Sequence, residues 1–509
     1  MWTRVADAVL PAAGGVLVAS SLPPWGWWPL AWVGYAVLAW RLAGSGWRRR
    51  AVAGAAFGLG MFLPGLWWVG EFNVLGAAVL MVFETLFLVA AAVAVTGGRG
   101  RMVALPAAVV LAEAARGSFP YGGLPMAGPA LGQVGGPLAG AARVGGALLV
   151  AGLTATAGVG LGAVVARRWR AASVAAGVVV LLTALGAAAP DGGPAVGTTR
   201  VAAVQGGGVR GMLAIETDPA DVLDAHVAAS QAVRPPVDLI LWPEDVVDVD
   251  QPIAVTQQAS EVAATAVAHR APLIAGVVED SGEDRFLNAA VVWSADGRIV
   301  GRYDKVHRVP FGEYVPARGF FSHLADLSVV PRDAVAGHGS GMLRTPAGPI
   351  GIVVSFEVYF PERARSAIRA GGRLLLVPTN ASSFRTSQVP TTEVATARLR
   401  AIETGRDVVQ AAPTGYGAFI DNRGRLLART TLGRRQVLQR PARIRAGRTV
   451  YVRLGDAPVT AIALLQLGTA WAIAAGRRYR GRRERDGDAV TPPPRRPTPP
   501  EGPRLASRR

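Results

Sequence analysis

Apolar residues dominate the first 190 positions, and polar ones fall in short interruptions between them. The uninterrupted runs cover about 6–22, 27–44, 51–69, 74–96, 102–116, 137–166 and 171–189. Several approach the roughly 20 residues that a helix needs to cross about 30 Å of hydrocarbon, so the pattern predicts a membrane domain over residues 1–190 with about seven transmembrane helices. The run at 102–116 is short and the run at 137–166 is rich in glycine. A buried core of a soluble helical protein would seldom string together so many consecutive apolar runs. The first run is expected to be retained rather than cleaved as a leader, because further spans follow at once and no Ala-x-Ala site stands out.

The pattern changes after residue 190. Residues 198–450 alternate short apolar runs with amphipathic ones, which predicts an α/β domain whose sheets are covered by helices. Strand-like runs lie at 201–205, 238–244, 272–279, 286–294, 350–357, 374–380 and 408–412, and helix-like runs at 219–233, 252–269, 361–370 and 391–406. Apolar residues return over Ala457–Gly476, read as a C-terminal transmembrane helix, and residues 477–509 form a basic tail rich in proline and arginine. Such a composition has no reason to pack.

Charge orients these pieces. The net charge is +18, and arginines cluster at Arg48, Arg49 and Arg50, at Arg99 and Arg101, at Arg167, Arg168 and Arg170, and from Arg477 onward. Each cluster follows an apolar run that the positive-inside rule would end in the cytoplasm. Both termini are therefore expected in the cytoplasm of a multi-pass plasma-membrane protein, with residues 198–450 on the outer face. The positive charge is accounted for by loops between apolar runs, so no nucleic-acid partner is expected. The tail could touch anionic lipid headgroups.

Two counts bear on chemistry. The chain has no cysteine, which excludes a disulfide framework, a thiolate metal site and a thiol nucleophile. It has one lysine, Lys305, against 52 arginines. A residue kept as lysine where arginine is used everywhere else suggests a task that a guanidinium cannot perform, such as a compact point charge. Three segments offer reactive groups. Leu239-Ile-Leu-Trp-Pro-Glu244 delivers a carboxylate at a strand end, residues 303–316 carry Lys305, and Gly351-Ile-Val-Val-Ser-Phe-Glu357 delivers the hydroxyl of Ser355. A carboxylate base, a cation for an oxyanion and a nucleophile are the parts of an acyl-transfer site.

These segments, in this order, resemble the carbon–nitrogen hydrolase (nitrilase) superfamily with its Glu-Lys-Cys triad. The string Asp304-Lys-Val-His-Arg-Val-Pro-Phe-Gly-Glu-Tyr-Val-Pro316 resembles bacterial apolipoprotein N-acyltransferases in particular. So do Leu22-Pro-Pro-Trp25, Glu113-Ala-Ala-Arg-Gly-Ser-Phe-Pro-Tyr-Gly-Gly123 and Arg398-Leu-Arg-Ala-Ile-Glu-Thr-Gly-Arg406. The resemblance implies a multi-pass α-helical membrane domain joined to an αββα sandwich. It implies Glu244 as general base, Lys305 beside the oxyanion, and Glu313 as a second glutamate that holds the lysine. Ser355 falls at the nucleophile position, followed by Phe356, whose N–H would complete the oxyanion hole, and Glu357. The implied reaction is ping-pong, from a membrane phospholipid as acyl donor to the N-terminal diacylglyceryl-cysteine of lipoproteins.

The chain departs from that pattern in two places. Ser355 stands where the resemblance implies cysteine, and small residues fill Asn380-Ala-Ser-Ser-Phe384 where an acidic or amide residue and an aromatic are implied. Two readings follow. One is a working N-acyltransferase with an oxyester intermediate; the other is a catalytically impaired paralogue that binds lipid or lipoprotein, or assists another enzyme. Glu113 and Arg116, three apart, are expected to pair on one helix face as membrane-embedded candidates. Glu84 has no obvious local partner. Trp25, Trp27, Trp28 and Trp32 are read as interfacial anchors. Phe311, Tyr314, Phe320 and Phe321 are read as a mobile acyl-entrance lid over 311–325, and His307 as structural. No metal or cofactor is implied.

Overall fold

The structure is a computed structural model. It describes residues 2–488 apart from 97, 99, 324–326, 328 and 329, and only the backbone of residues 2–7 and 477–488. Arg99, the tail from 489, the side chains of the arginines after Gly476 and part of the 311–325 segment lie outside the described residues.

Each apolar run of the first 190 residues folds largely as helix: α1 (Trp2–Ser21), α2 (Pro29–Arg41), α3 (Trp47–Gly65), α4 (Val74–Ala94), α5 (Arg101–Arg116), α6 (Ala142–Val165), which is kinked at the non-helical Gly145 and Gly146, and α7 (Trp169–Ala188). By length and apolar composition four described helical segments could cross a membrane: Val74–Ala94, Pro137–Val165, Trp169–Ala188 and Ala457–Gly476. Close packing of α1 on α3 depends on Gly15 and Gly60, whose missing side chains admit the backbone of Phe57 and Ala12.

A buried charge cluster among these helices centres on Arg116. Arg116 donates from Nε to Glu84 at 2.6 Å and from Nη1 to Glu113 at 3.0 Å, and stacks over Phe62. Glu84 is thus paired after all, across 32 positions of sequence that no local rule connects. The Arg116 Nη2 also donates to the carbonyls of Leu124 and Met126, so the cluster holds the loop that follows α5. Arg116→Met is expected to remove the cation that both carboxylates share, and to cost about 3–5 kcal/mol of stability. An unchanged thermal unfolding midpoint in detergent would contradict this.

Two sheets form the second half. In the first, β1 (Ala195–Gln205), β2 (Leu239–Leu241), β4 (Leu273–Asp280), β5 (Arg285–Trp293), β6 (Ile299–Asp304) and β14 (Gln436–Arg445) lie in the order β14-β1-β2-β4-β5-β6, with β3 (Val247–Val249) and β7 (Asp333–Ala334) attached. In the second, β8 (Met342–Thr345), β9 (Gly348–Ile352), β10 (Leu375–Pro378), β11 (Val408–Ala411), β12 (Ala418–Ile420) and β13 (Leu426–Arg429) lie in chain order. The central strands of each sheet run parallel and the edges antiparallel.

The two-residue period of a strand decides the layers. Val201 and Ala203 face the second sheet, where Ile350, Ile352, Leu376 and Val409 meet them. Ala202 and Val204 face outward under α8 (Pro219–Ser230) and α9 (Gln257–His269). Val353, Val377 and Val408 face the other way, under α11 (Pro361–Arg369) and α12 (Gln388–Thr404). The result is an αββα sandwich. Its α12 layer shares one apolar core with the membrane helices. Polar ties cross the same boundary: Ala147 N–H donates to Glu403 at 2.9 Å, and Gln388 Nε2 to the carbonyl of Pro64 at 2.9 Å. After β14 come the short α13 (Val450–Leu454) and the long α14 (Ala457–Asp488).

Candidate active site

Four polar side chains sit just past the carboxyl ends of strands, where an α/β sheet leaves groups unpaired and available. Glu244 follows β2, Lys305 follows β6, Ser355 follows β9 and Thr379 follows β10. Pro243 ends the β2 ladder because it has no N–H to donate. The turn it starts lies directly on Gly276 of β4: a Cβ there would come within 2.4 Å of Glu244 Cα. Gly276 donates to the carbonyl of Pro243 and accepts from Val246, which fixes where Glu244 points.

The charged centre is largely buried. Lys305 Nζ donates to Glu244 Oε1 at 2.7 Å and to Glu313 Oε1 at 2.6 Å, and both Lys305 and Glu244 are almost fully buried. Asn288 of β5 donates to both carboxylates, at 3.0 and 3.1 Å, while its carbonyl receives the Lys305 N–H. Glu313 also caps the Val309 N–H at 2.7 Å, closing the loop on which it rides. Burial alone would lower the Lys305 ammonium, but Glu244 and Glu313 reverse this and hold it well above the usual lysine range. Desolvation raises Glu244, aided by Glu313 and opposed by Lys305; the nearby Ser355 hydroxyl opposes it further. Desolvation also raises the neighbouring Asp245, with Glu244 adding to the rise; Asn380 donates to it at 3.1 Å.

Ser355 does not continue the strand, as the run 350–357 suggested. β9 ends at Ile352, and Ser355 opens a 3₁₀ turn (Ser355–Tyr359) at φ +48. That left-handed conformation costs a non-glycine residue about 1–3 kcal/mol and lifts its side chain out of the strand's alternation. Glu357 buckles the turn to the lysine loop. Its fully buried carboxylate accepts from the N–H groups of Val354, Val306 and His307 and from the Tyr303 hydroxyl, all within 3.0 Å. The backbone placement of Ser355 and that of Lys305 therefore depend on one side chain.

The site borders the membrane helices. His307 stacks on Phe360, centroids 3.5 Å apart, and fills the space that a side chain at Gly122 would need. Burial lowers its imidazole to about 4, so it is neutral at physiological pH and packs rather than titrates. Phe311 meets Tyr121 and Phe321 edge-on, and Phe311 and Phe320 are exposed. Tyr314 instead lies under Arg308. Phe384, at the end of the small-residue segment, packs edge-on against Trp68 and Phe72. Of the tryptophans read as anchors, Trp25 and Trp27 are exposed, whereas Trp28 and Trp32 pack on each other and hydrogen-bond Gln133.

Comparison with known proteins agrees with this architecture. Residues 14–160 match the family model of the apolipoprotein N-acyltransferase N-terminal domain, and residues 200–445 match that of carbon–nitrogen hydrolases. The apolipoprotein N-acyltransferase of Mycolicibacterium smegmatis is 32% identical, over 93% of this chain and 85% of its own length. The chain belongs to the apolipoprotein N-acyltransferase family. The family member from Rhizobium rhizogenes is 31% identical over 84% of this chain and 87% of its own. Among solved structures, Saccharomyces cerevisiae Nit3, a member of branch 10 of the nitrilase superfamily, is 19% identical, with 49% of this chain and 91% of that one covered and a TM-score of 0.39. As an apolipoprotein N-acyltransferase family member with long apolar helices, the chain is an acyltransferase-class membrane protein with a nitrilase-like αββα half.

Asn288, Thr379, Glu393 and Asp245 were not singled out from sequence. An asparagine inside the apolar β5 run was the one available signal; the others look like ordinary strand-end or helix residues.

Proposed function

We propose that this chain moves a fatty acyl group from a membrane phospholipid to the α-amino group of the diacylglyceryl-cysteine at a lipoprotein N-terminus, through an ester on Ser355. The observation that carries this reading is the convergence of Glu244, Lys305 and Ser355 from three strand ends into one buried cluster, in a member of this family. Glu244 is the general base. It takes the Ser355 proton as Oγ attacks the ester carbonyl of the phospholipid, and Lys305 and the Phe356 N–H receive the charge on the carbonyl oxygen. The tetrahedral adduct collapses, the glycerol oxygen leaves with the proton from Glu244, and acyl-Ser355 remains. The lipoprotein amine then attacks, Glu244 accepts its proton and returns it to Ser355, and the amide is released. Glu313 and Asn288 hold Lys305 and Glu244 in register; Glu357 ties the nucleophile turn to the lysine loop.

The same reading includes the topology: residues 1–190 as the membrane domain, 198–450 outside the cell, 457–476 as the last span and the tail from 477 in the cytoplasm. The exposed Phe311, edge-on to Tyr121, and the exposed Phe320 support an acyl entrance at the membrane side. The test is purified protein in detergent with phospholipid and a diacylated lipopeptide, read by mass spectrometry. Triacylated product is expected. Binding of lipopeptide with no product would instead favour the impaired paralogue.

A further inference from the structure

Ser355 has a polar neighbour besides Glu244. Thr379 Oγ1 lies 3.3 Å from Ser355 Oγ and 2.7 Å from Glu393 Oε1. Glu393, on α12, is 3% exposed, and its other oxygen, Oε2, has no hydrogen-bond partner among the described residues. This buried carboxyl has no part in the chemistry derived above.

A threonine hydroxyl has one proton to give. Thr379 therefore donates to Glu393 or to Ser355, and the proton count on Glu393 decides which. An ionised Glu393 only accepts. Thr379 then donates to it, and the Thr379 oxygen is left to accept the serine proton, which turns away from Glu244. A protonated Glu393 donates to Thr379, Thr379 donates to Ser355, and the serine proton is free to meet Glu244. The 3.3 Å link is long for a hydroxyl pair, hence the weaker and more easily reversed of the two. The geometry points to Glu393 as a positioning residue that, when protonated, aims the Ser355 hydroxyl at Glu244 through Thr379. This matters for an alcohol more than for a thiol, because an alcohol must pass its proton to the base during attack.

The surroundings keep Glu393 in the required form. Desolvation pushes its carboxyl up to about 8; the Thr379 hydrogen bond and Lys305 pull against this, and Glu244 adds to it. Tyr359, from the nucleophile turn, is the other titratable group facing it, and burial holds its phenol neutral.

The inference rests on Ser355 being the nucleophile, so the test separates the two. Acylation by phospholipid alone is followed as released lysophospholipid across pH. The wild-type rate is expected to fall above pH about 8, approaching tenfold per unit, as Glu393 ionises. Glu393→Gln, whose amide can donate at any pH, should keep the neutral-pH rate within about threefold and lose the alkaline fall. Thr379→Val should lower the rate and also lose the fall. An alkaline fall that persists in Glu393→Gln overturns the inference, as does one that persists in Thr379→Val, since the effect would then act through space. Ser355→Ala releasing lysophospholipid would overturn the nucleophile instead. If the wild type is silent, infrared difference spectra still decide. A protonated-carboxyl band at neutral pH, absent in Glu393→Gln and shifted in Thr379→Val, is expected; a wild-type spectrum without that band contradicts the relay.

Discussion

Ser355→Ala is expected to lose acyl transfer by about 10⁴-fold or more, the scale on which removing a nucleophile acts. Ser355→Cys is expected to gain about 10²-fold, the lower end of what assisted proton transfer contributes. The two results have one cause. Glu244 is raised by burial and restrained by Lys305, and so is a moderate base. A thiol titrates at about 8.5 and is partly ionised without help, whereas a hydroxyl is not. The +48 φ of Ser355 is a backbone feature and survives both substitutions, so neither should alter folding much. The comparison is made on initial rates of triacylated product in one detergent. A cysteine variant no faster than wild type would mean that proton transfer to Glu244 does not limit the step.

Lys305→Met is expected to damage both stability and rate. Its ammonium sits between two buried carboxylates at 2.6 and 2.7 Å. Removing one partner of a buried ion pair costs about 3–5 kcal/mol. Losing an oxyanion donor costs a further 10²–10³ or so in kcat. The pH sign follows from the direction of the shift. A lysine raised on folding adds stability throughout the range below about 10.4, its unfolded value, and gives it up only as pH rises through the folded value. The stability gap between wild type and Lys305→Met should therefore persist at neutral pH and narrow only in strong alkali. Lys305→Arg should not rescue the rate, because a planar fork cannot meet two oxygens from the place of a point donor. A methionine variant with wild-type melting and kcat would remove Lys305 from the account.

How much of this was legible in the sequence depended on range. Glu244 and Ser355 were readable as polar endings of apolar strand runs, and Lys305 as the one lysine of the chain. Their meeting in space was not readable from spacing; only the resemblance implied it. Glu84 and Arg116 were each visible, but their pairing joins α4 to α5 and leaves no periodic trace. Asn288 reads as one polar residue in an apolar strand, and Glu393 as one acid in a helix. Each acquires its place from the packing of layers. Strands β13 and β14 were missed because edge strands alternate less cleanly: β14 carries Pro441, several arginines and exposed positions; the interior β12 was missed because it spans only three residues. The boundaries missed at Glu244 and Ser355 are informative. Both residues lie past the ends of their ladders, Ser355 at positive φ and Glu244 just before Asp245 at φ +55, and such turns release side chains from a strand's alternation.

The central claim is that a serine carries the acyl group in this family member. It is tested most directly by incubating the protein with phospholipid and no acceptor, digesting it, and finding the acyl mass by mass spectrometry. The account predicts the adduct on the peptide that contains Ser355, its loss on addition of a diacylated lipopeptide, and matching triacylated product. Triacylated product formed with no acyl group on that peptide, or with the acyl group elsewhere in the chain, would contradict it.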